Sequence, residues 1–178
     1  MGFGLAPAVL ATALSTPSEK GEYGWLFGAA ASLIGALGVF GLQDGAAFLI
    51  AWEIMSFGGA VMILSERLSD ARGRSVLFML GLLEIGAVAL LIGVLLLAVP
   101  GASLSFATFA HAAASLGGGW QAFIGLLFLI GFGAKLGILP FYEWFPAAYG
   151  SGSGASGAIL SGVVLNAAFY GLSRVLTV

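Results

Sequence analysis

The sequence predicts an all-α integral membrane protein, a bundle of about five to six transmembrane helices with one helix broken near Lys135–Pro140. Three observations predict it. Of 178 residues, 60% are hydrophobic and 8% charged, whereas a soluble domain carries roughly 25% charged residues to cover its surface. Apolar runs of about 20 residues, enough to cross a ~30 Å hydrocarbon core, recur along the chain. Many of the 29 glycines fall inside those runs, as at Gly35, Gly38 and Gly41 and again at Gly131, Gly133 and Gly137. Small residues there let lipid-embedded helices approach closely.

The elements follow in order. Met1 to Leu14 is apolar but too short to span alone, and reads as the tail of a helix; it has no basic n-region and so does not read as a cleaved signal peptide. Thr16 to Tyr23, with Pro17, Glu19 and Lys20, reads as a loop. A second segment covers about Gly24 to Leu42, and Gln43-Asp44-Gly45 is a tight-turn signal. The third, Ala46 to Leu64, contains Glu53. Ser65 to Ser75 is the most charged stretch, and its arginines (Arg67, Arg72 and Arg74) place it on the cytoplasmic side of an inner or cytoplasmic membrane.

A fourth segment, Val76 to Val99, contains Glu84. Pro100 to Gly119 is a Gly/Ser/Ala-rich connection with room for an interfacial helix on the outer side. The fifth starts near Trp120, reaches Lys135 and is interrupted at Pro140; Phe141 to Gly150 continues it as a second half-helix. After a Gly/Ser linker, Ser151 to Gly154, a sixth segment covers about Ala155 to Val178 and contains Asn166 and Arg174. The whole reads as a single transmembrane helical domain, 1–178.

Composition also excludes. Without cysteine there is neither a disulfide nor a thiolate metal site, and a net charge of -2 is too small to imply nucleic acid. The lone His111 has no second ligand beside it and reads as a solvated or interfacial side chain. No nucleophile–base set, metal cluster or cofactor fingerprint is visible, so no cofactor and no catalysis by the chain alone are expected. Trp25, Trp120, Trp144, Tyr142 and Tyr149 lie near segment ends and read as interfacial anchors.

Three ionisable residues lie deep in apolar segments: Glu53, Glu84 and Lys135. Each costs about 2.5–3.5 kcal/mol at a helix centre on insertion scales, so each is expected to face the bundle interior, pair with another, or line a wet path. Glu53 lies roughly 10 Å from the outer end of its helix and Lys135 roughly 20 Å deep, at 1.5 Å per residue. A long lysine on a helix broken nearby can still meet that glutamate, directly or through water. Burial favours the neutral forms and pairing the charged ones. A site balanced between the two can exchange a proton when a neighbour moves, and the alternative is a static ion pair that locks two helices.

Pro140 cannot donate to the preceding turn and clashes with it, so with Gly137 it marks a helix break just past Lys135. Broken helices in mid-membrane are tolerated where they line a cavity and point to ion sites; a plain packing kink is the other reading. Asn166 reads either as a relay member that holds water or as an interhelical hydrogen bond.

These residues form a pattern. Gly131, Lys135, Pro140, Trp144, Pro146 and Ala148, then Ser161, Gly162, Tyr170, Gly171 and Arg174, follow one another without a gap, and Trp52-Glu53-Ile54-Met55-Ser56 precedes them on an earlier helix. The chain from about Gly35 to Val178 thereby resembles the antiporter-like membrane subunits of respiratory complex I, of Mrp-type cation/proton antiporters, and of formate hydrogenlyase and energy-converting hydrogenases. The resemblance implies one repeat of the antiporter-like fold and a proton half-channel in which Glu53 modulates Lys135 on the broken helix. It implies a proton-translocating, or Na+-linked, non-catalytic subunit of a redox-driven oxidoreductase complex in the respiratory chain. Its expected partners are the lipid bilayer, protons or Na+, and other membrane subunits, one of them supplying a second repeat absent from this split or truncated chain.

The chain departs from the family at Asn166, where relatives carry a lysine, at Tyr142 and Tyr149, where they carry histidines, and at Ser153, in place of a proline. A neutral Asn166 leaves open a second reading, a non-pumping structural subunit with a degenerate channel that anchors its partners. A quinone-site component is a third, for which no residue argues.

Overall fold

In lipid every backbone N–H and C=O must find its partner within the protein, and continuous helices meet that demand segment by segment. The computed structural model describes residues 22–66, 70–151 and 154–176 with isolated positions 6, 10 and 13, so nearly all of the expected Met1–Leu14 segment and most of the Thr16–Tyr23 loop lie outside the described residues. The described chain is helical apart from short turns. It comprises α1 (Glu22–Gly41), α2 (Gly45–Glu66), α3 (Asp70–Gly101), α4 (Phe106–Ser115), α5 (Gly118–Leu136), α6 (Trp144–Ser151), α7 (Gly154–Ile159) and α8 (Asn166–Leu176). A π-helical turn, Leu160–Leu165, joins α7 to α8.

Five stretches are long and apolar enough to cross a membrane: Tyr23–Gly41, Gly45–Glu66, Gly73–Gly101, Gly118–Gly150 and Gly154–Val175. The protein is a multi-pass integral membrane protein.

Glycine sets how closely α1 and α2 pack. A β-carbon at Gly28 would fall 2.4 Å from the Met62 nitrogen, and one at Gly35 would fall 2.5 Å from that of Met55. The two backbones therefore touch, as small residues permit between membrane helices. At the turn, the Asp44 carboxylate accepts from the backbone N–H groups of Ala46 and Ala47, each at 3.0 Å, and caps α2. The same turn is tied to the chain before α4, with Gly45 donating to the Leu104 carbonyl at 2.8 Å and Phe106 to that of Gln43 at 2.9 Å.

The charged stretch expected as a loop over Ser65–Ser75 is mostly helical: α2 runs to Glu66 and α3 begins at Asp70. Lys and Arg are good helix formers, so charge alone does not end a helix. Arg67 lies outside the described residues. Within Pro100–Gly119 the chain forms α4, whose buried residues are Phe109 and Ala112. Ten residues rise about 15 Å, too few to span. His111 is exposed on this helix rather than in a loop.

Candidate functional site

Lys135 occupies the last turn of α5 and is 1% exposed. Its Nζ donates to Ser56 Oγ at 2.5 Å and to the Trp52 carbonyl at 3.1 Å, and lies 3.8 Å from the centre of the Trp52 ring. Ser56 Oγ in turn donates to the Trp52 carbonyl at 2.9 Å. The ammonium is thus held by a hydroxyl, a carbonyl and an aromatic face, all from α2, and benefits from its place at the negative end of the α5 dipole.

Glu53 follows Trp52 directly, so the turn of α2 that holds Lys135 also carries the carboxylate. Glu53 and Glu84, both half-buried, act electrostatically on Lys135. The Glu84 side chain, from α3, neighbours that of Glu53. Among the described residues neither acid makes a direct ion pair with Lys135. Two polar atoms beside it, Glu53 Oε2 and Trp52 Nε1, are buried without a hydrogen-bond partner. The different depths read from sequence are reconciled by the length of the lysine, which reaches the level of Glu53.

The break after Lys135 is made by Gly137 and kept by Pro140. Gly137 adopts φ 67° and ψ 34°. Its N–H bonds to the Ala134 carbonyl at 3.3 Å, and that of Ile138 bonds to the Gly133 carbonyl at 2.9 Å, a Schellman ending in which the left-handed residue is glycine. A β-carbon at Gly137 would also meet the Phe145 ring at 2.3 Å. The chain resumes through a 3₁₀ turn, Phe141–Glu143, into α6. Trp144 Nε1 donates to the Ala134 carbonyl at 2.8 Å and pins the second half-helix to the end of the first.

Asn166 lies apart from this cluster. Exposed on the last helix, it turns its amide to the carbonyls of Gly162 at 3.0 Å and Ser161 at 3.3 Å, closing the π-helical turn; none of its described hydrogen bonds reaches Lys135. Two of the expected anchors are corrected, since Trp25 and Trp144 are each 0% exposed. Trp25 Nε1 donates to Ser156 Oγ at 2.9 Å and to Glu66 Oε1 at 3.1 Å, and Ser156 donates to Glu66. Buried indoles with satisfied N–H groups pin helices together; those at a lipid–water boundary stay partly exposed, as Trp120 and Tyr142 do here.

Sequence reasoning missed the role of Ser56, although its four-residue spacing from Trp52 puts both on one face of α2. The Glu66–Ser156–Trp25 network joins helices distant in sequence, and no local pattern could have shown it.

Residues 43–178 match the family model described as NADH:quinone oxidoreductase/Mrp antiporter, transmembrane. The chain belongs to this antiporter family. It is 31% identical over 163 residues to NADH-quinone oxidoreductase subunit N of Pelobacter propionicus, covering 91% of this chain and 35% of that protein. Against hydrogenase-4 component B of Escherichia coli the identity is 28% over 128 residues, covering 72% and 19%. A chain of the membrane-bound sulfane sulfur reductase, an archaeal respiratory membrane complex, superposes with a TM-score of 0.80 at 32% identity, covering 98% of this chain and 27% of that one. The antiporter-family chain described here therefore spans about a fifth to a third of the length of these relatives, and its broken α5 and the lysine on it belong to the matched region.

Proposed function

We propose that this antiporter-family chain is a proton-translocating, or Na+-linked, membrane subunit of a complex-I-like or hydrogenase-type respiratory complex, with a half-channel built on Glu53, Glu84 and Lys135. The observation that carries the reading is a fully buried ammonium held by neutral acceptors, with two neighbouring carboxyl groups acting on it without an ion pair. A static lock would place opposite charges together, because their attraction is what offsets the cost of burying them. Here the acids stand off, so adding a proton to either or removing one changes the field on Lys135, and a field in a medium of low dielectric is strong.

In this mechanism a proton reaches the Glu53–Glu84 pair, the ammonium loses part of its electrostatic support, and Lys135 releases its own proton towards the α5–α6 break. The unpartnered Glu53 Oε2 and Trp52 Nε1 are the atoms to which a thread of water attaches. Other membrane subunits, one of them supplying a second repeat, complete the path, and the chain acts as a single transmembrane domain whose arginine-bearing end, with Arg72 and Arg74 at the start of α3, faces the cytoplasm.

The test is ion uptake per electron by proteoliposomes holding the intact complex. Lys135→Ala is expected to abolish the share of uptake carried by this subunit while the complex still assembles, and Lys135→Arg, which holds its proton permanently, to do the same. Unchanged uptake in both variants refutes the proposal. The second reading, a structural subunit with a degenerate channel, is favoured by one observation: Asn166 carries no titratable proton and spends its amide on its own backbone. That reading gains if uptake survives.

A further inference from the structure

A cavity of about 290 Å³ opens beside the start of α2 and the end of α3, lined by residues of α2, α3, α4, α5 and α8. It lies at the low end of the roughly 300–1,000 Å³ typical of small-molecule sites. Its inner wall is aromatic: Phe48, Phe109, Phe128 and Phe132 are each 4% exposed or less. Its rim is polar and comes from Gln43 and Arg174. The Arg174 guanidinium is fixed at this rim, donating to the Leu42 carbonyl at 3.2 Å and to Gln43 Oε1 at 2.7 Å and covering the Phe106 ring at 4.6 Å.

The aromatic inner wall favours an apolar guest over water, because apolar cavities bind apolar guests. The rim adds a preference of sign. Arg174 lies in the last turn of α8, at one end of a membrane-crossing stretch, and a guanidinium there is complementary to phosphate. We propose that the cavity receives part of one acyl chain of an anionic phospholipid whose phosphate is held by Arg174. The bound lipid wedges the short helix α4 against the ends of α2 and α8, next to the Phe48–Trp52–Phe132 ring cluster on which Lys135 rests. The proposal does not depend on ion transport.

Native mass spectrometry of the purified full chain, incubated with dioleoyl phosphatidylglycerol or dioleoyl phosphatidylcholine, tests it. The wild type is expected to retain one phosphatidylglycerol with about tenfold preference, the size of one charged hydrogen bond. Arg174→Gln should level that preference. Ala107→Trp, entering from the exposed side of α4, should remove the retained lipid of either headgroup, and Val175→Phe fills the same space from α8 should the first variant fail to fold. Equal retention of the two lipids by the wild type overturns the proposal, as does undiminished retention in a folded cavity-filling variant or a neutral quinone held in place of the lipid.

Discussion

Ser56 shows how much a single hydroxyl can hold. It accepts from the buried Lys135 ammonium at 2.5 Å while donating to the carbonyl of its own helix. Hydrogen bonds to charged groups contribute about 1.5–3 kcal/mol, so Ser56→Ala is expected to lower stability by that order in a detergent unfolding titration and to reduce ion uptake. Ser56→Thr keeps the hydroxyl and should restore most of both. Lys135 and Glu53 were legible in the sequence because ionised groups in oil are expensive, which makes each one conspicuous. The partners of Lys135 were less so, since serine and tryptophan are common in membrane helices and only the fold brings residues 52, 56 and 135 together. Glu84 was visible as a charge, but its neighbour across the helix–helix contact was not.

Among the elements, the broken α5–α6 pair gives the sharpest expectation. Gly137→Ala places a side chain where φ is positive, at about 1–2 kcal/mol for the left-handed backbone, and drives a methyl into Phe145. The expected result is a lower unfolding midpoint together with impaired uptake, since the second half-helix loses the docking that Trp144 makes on the Ala134 carbonyl. An unfolding midpoint equal to that of the wild type would mean that the joint tolerates another geometry. The Gly–Pro signature announced this break from sequence alone, because both residues act through local backbone chemistry. The π-helical turn ahead of Asn166 was not announced: it carries no proline, its one glycine, Gly162, does not stand out among the many in the apolar runs, and the carbonyls bonded to Asn166 mark it only in the fold. Trp25 and Trp144 misled for a related reason, as position near a segment end does not distinguish an indole at the lipid boundary from one folded inward.

For the whole molecule, composition alone pointed to lipid as the solvent, and spacing gave about five to six crossings, of which five candidates lie among the described residues. Which helices touch was not legible, since in lipid all faces are apolar and periodicity no longer marks the inside. The proposed coupling is that the charge on Glu53 and Glu84 controls the charge on Lys135. The measurement that bears on it most directly is ion uptake per electron by the reconstituted complex carrying Glu53→Gln, Glu84→Gln and the double substitution, with assembly checked in each. Groups that act as a unit are strongly non-additive. The account predicts that each single variant loses most of this subunit's share of uptake and that the double variant is no worse than the poorer single one. Wild-type uptake in all three intact complexes, or losses that simply multiply, would contradict it.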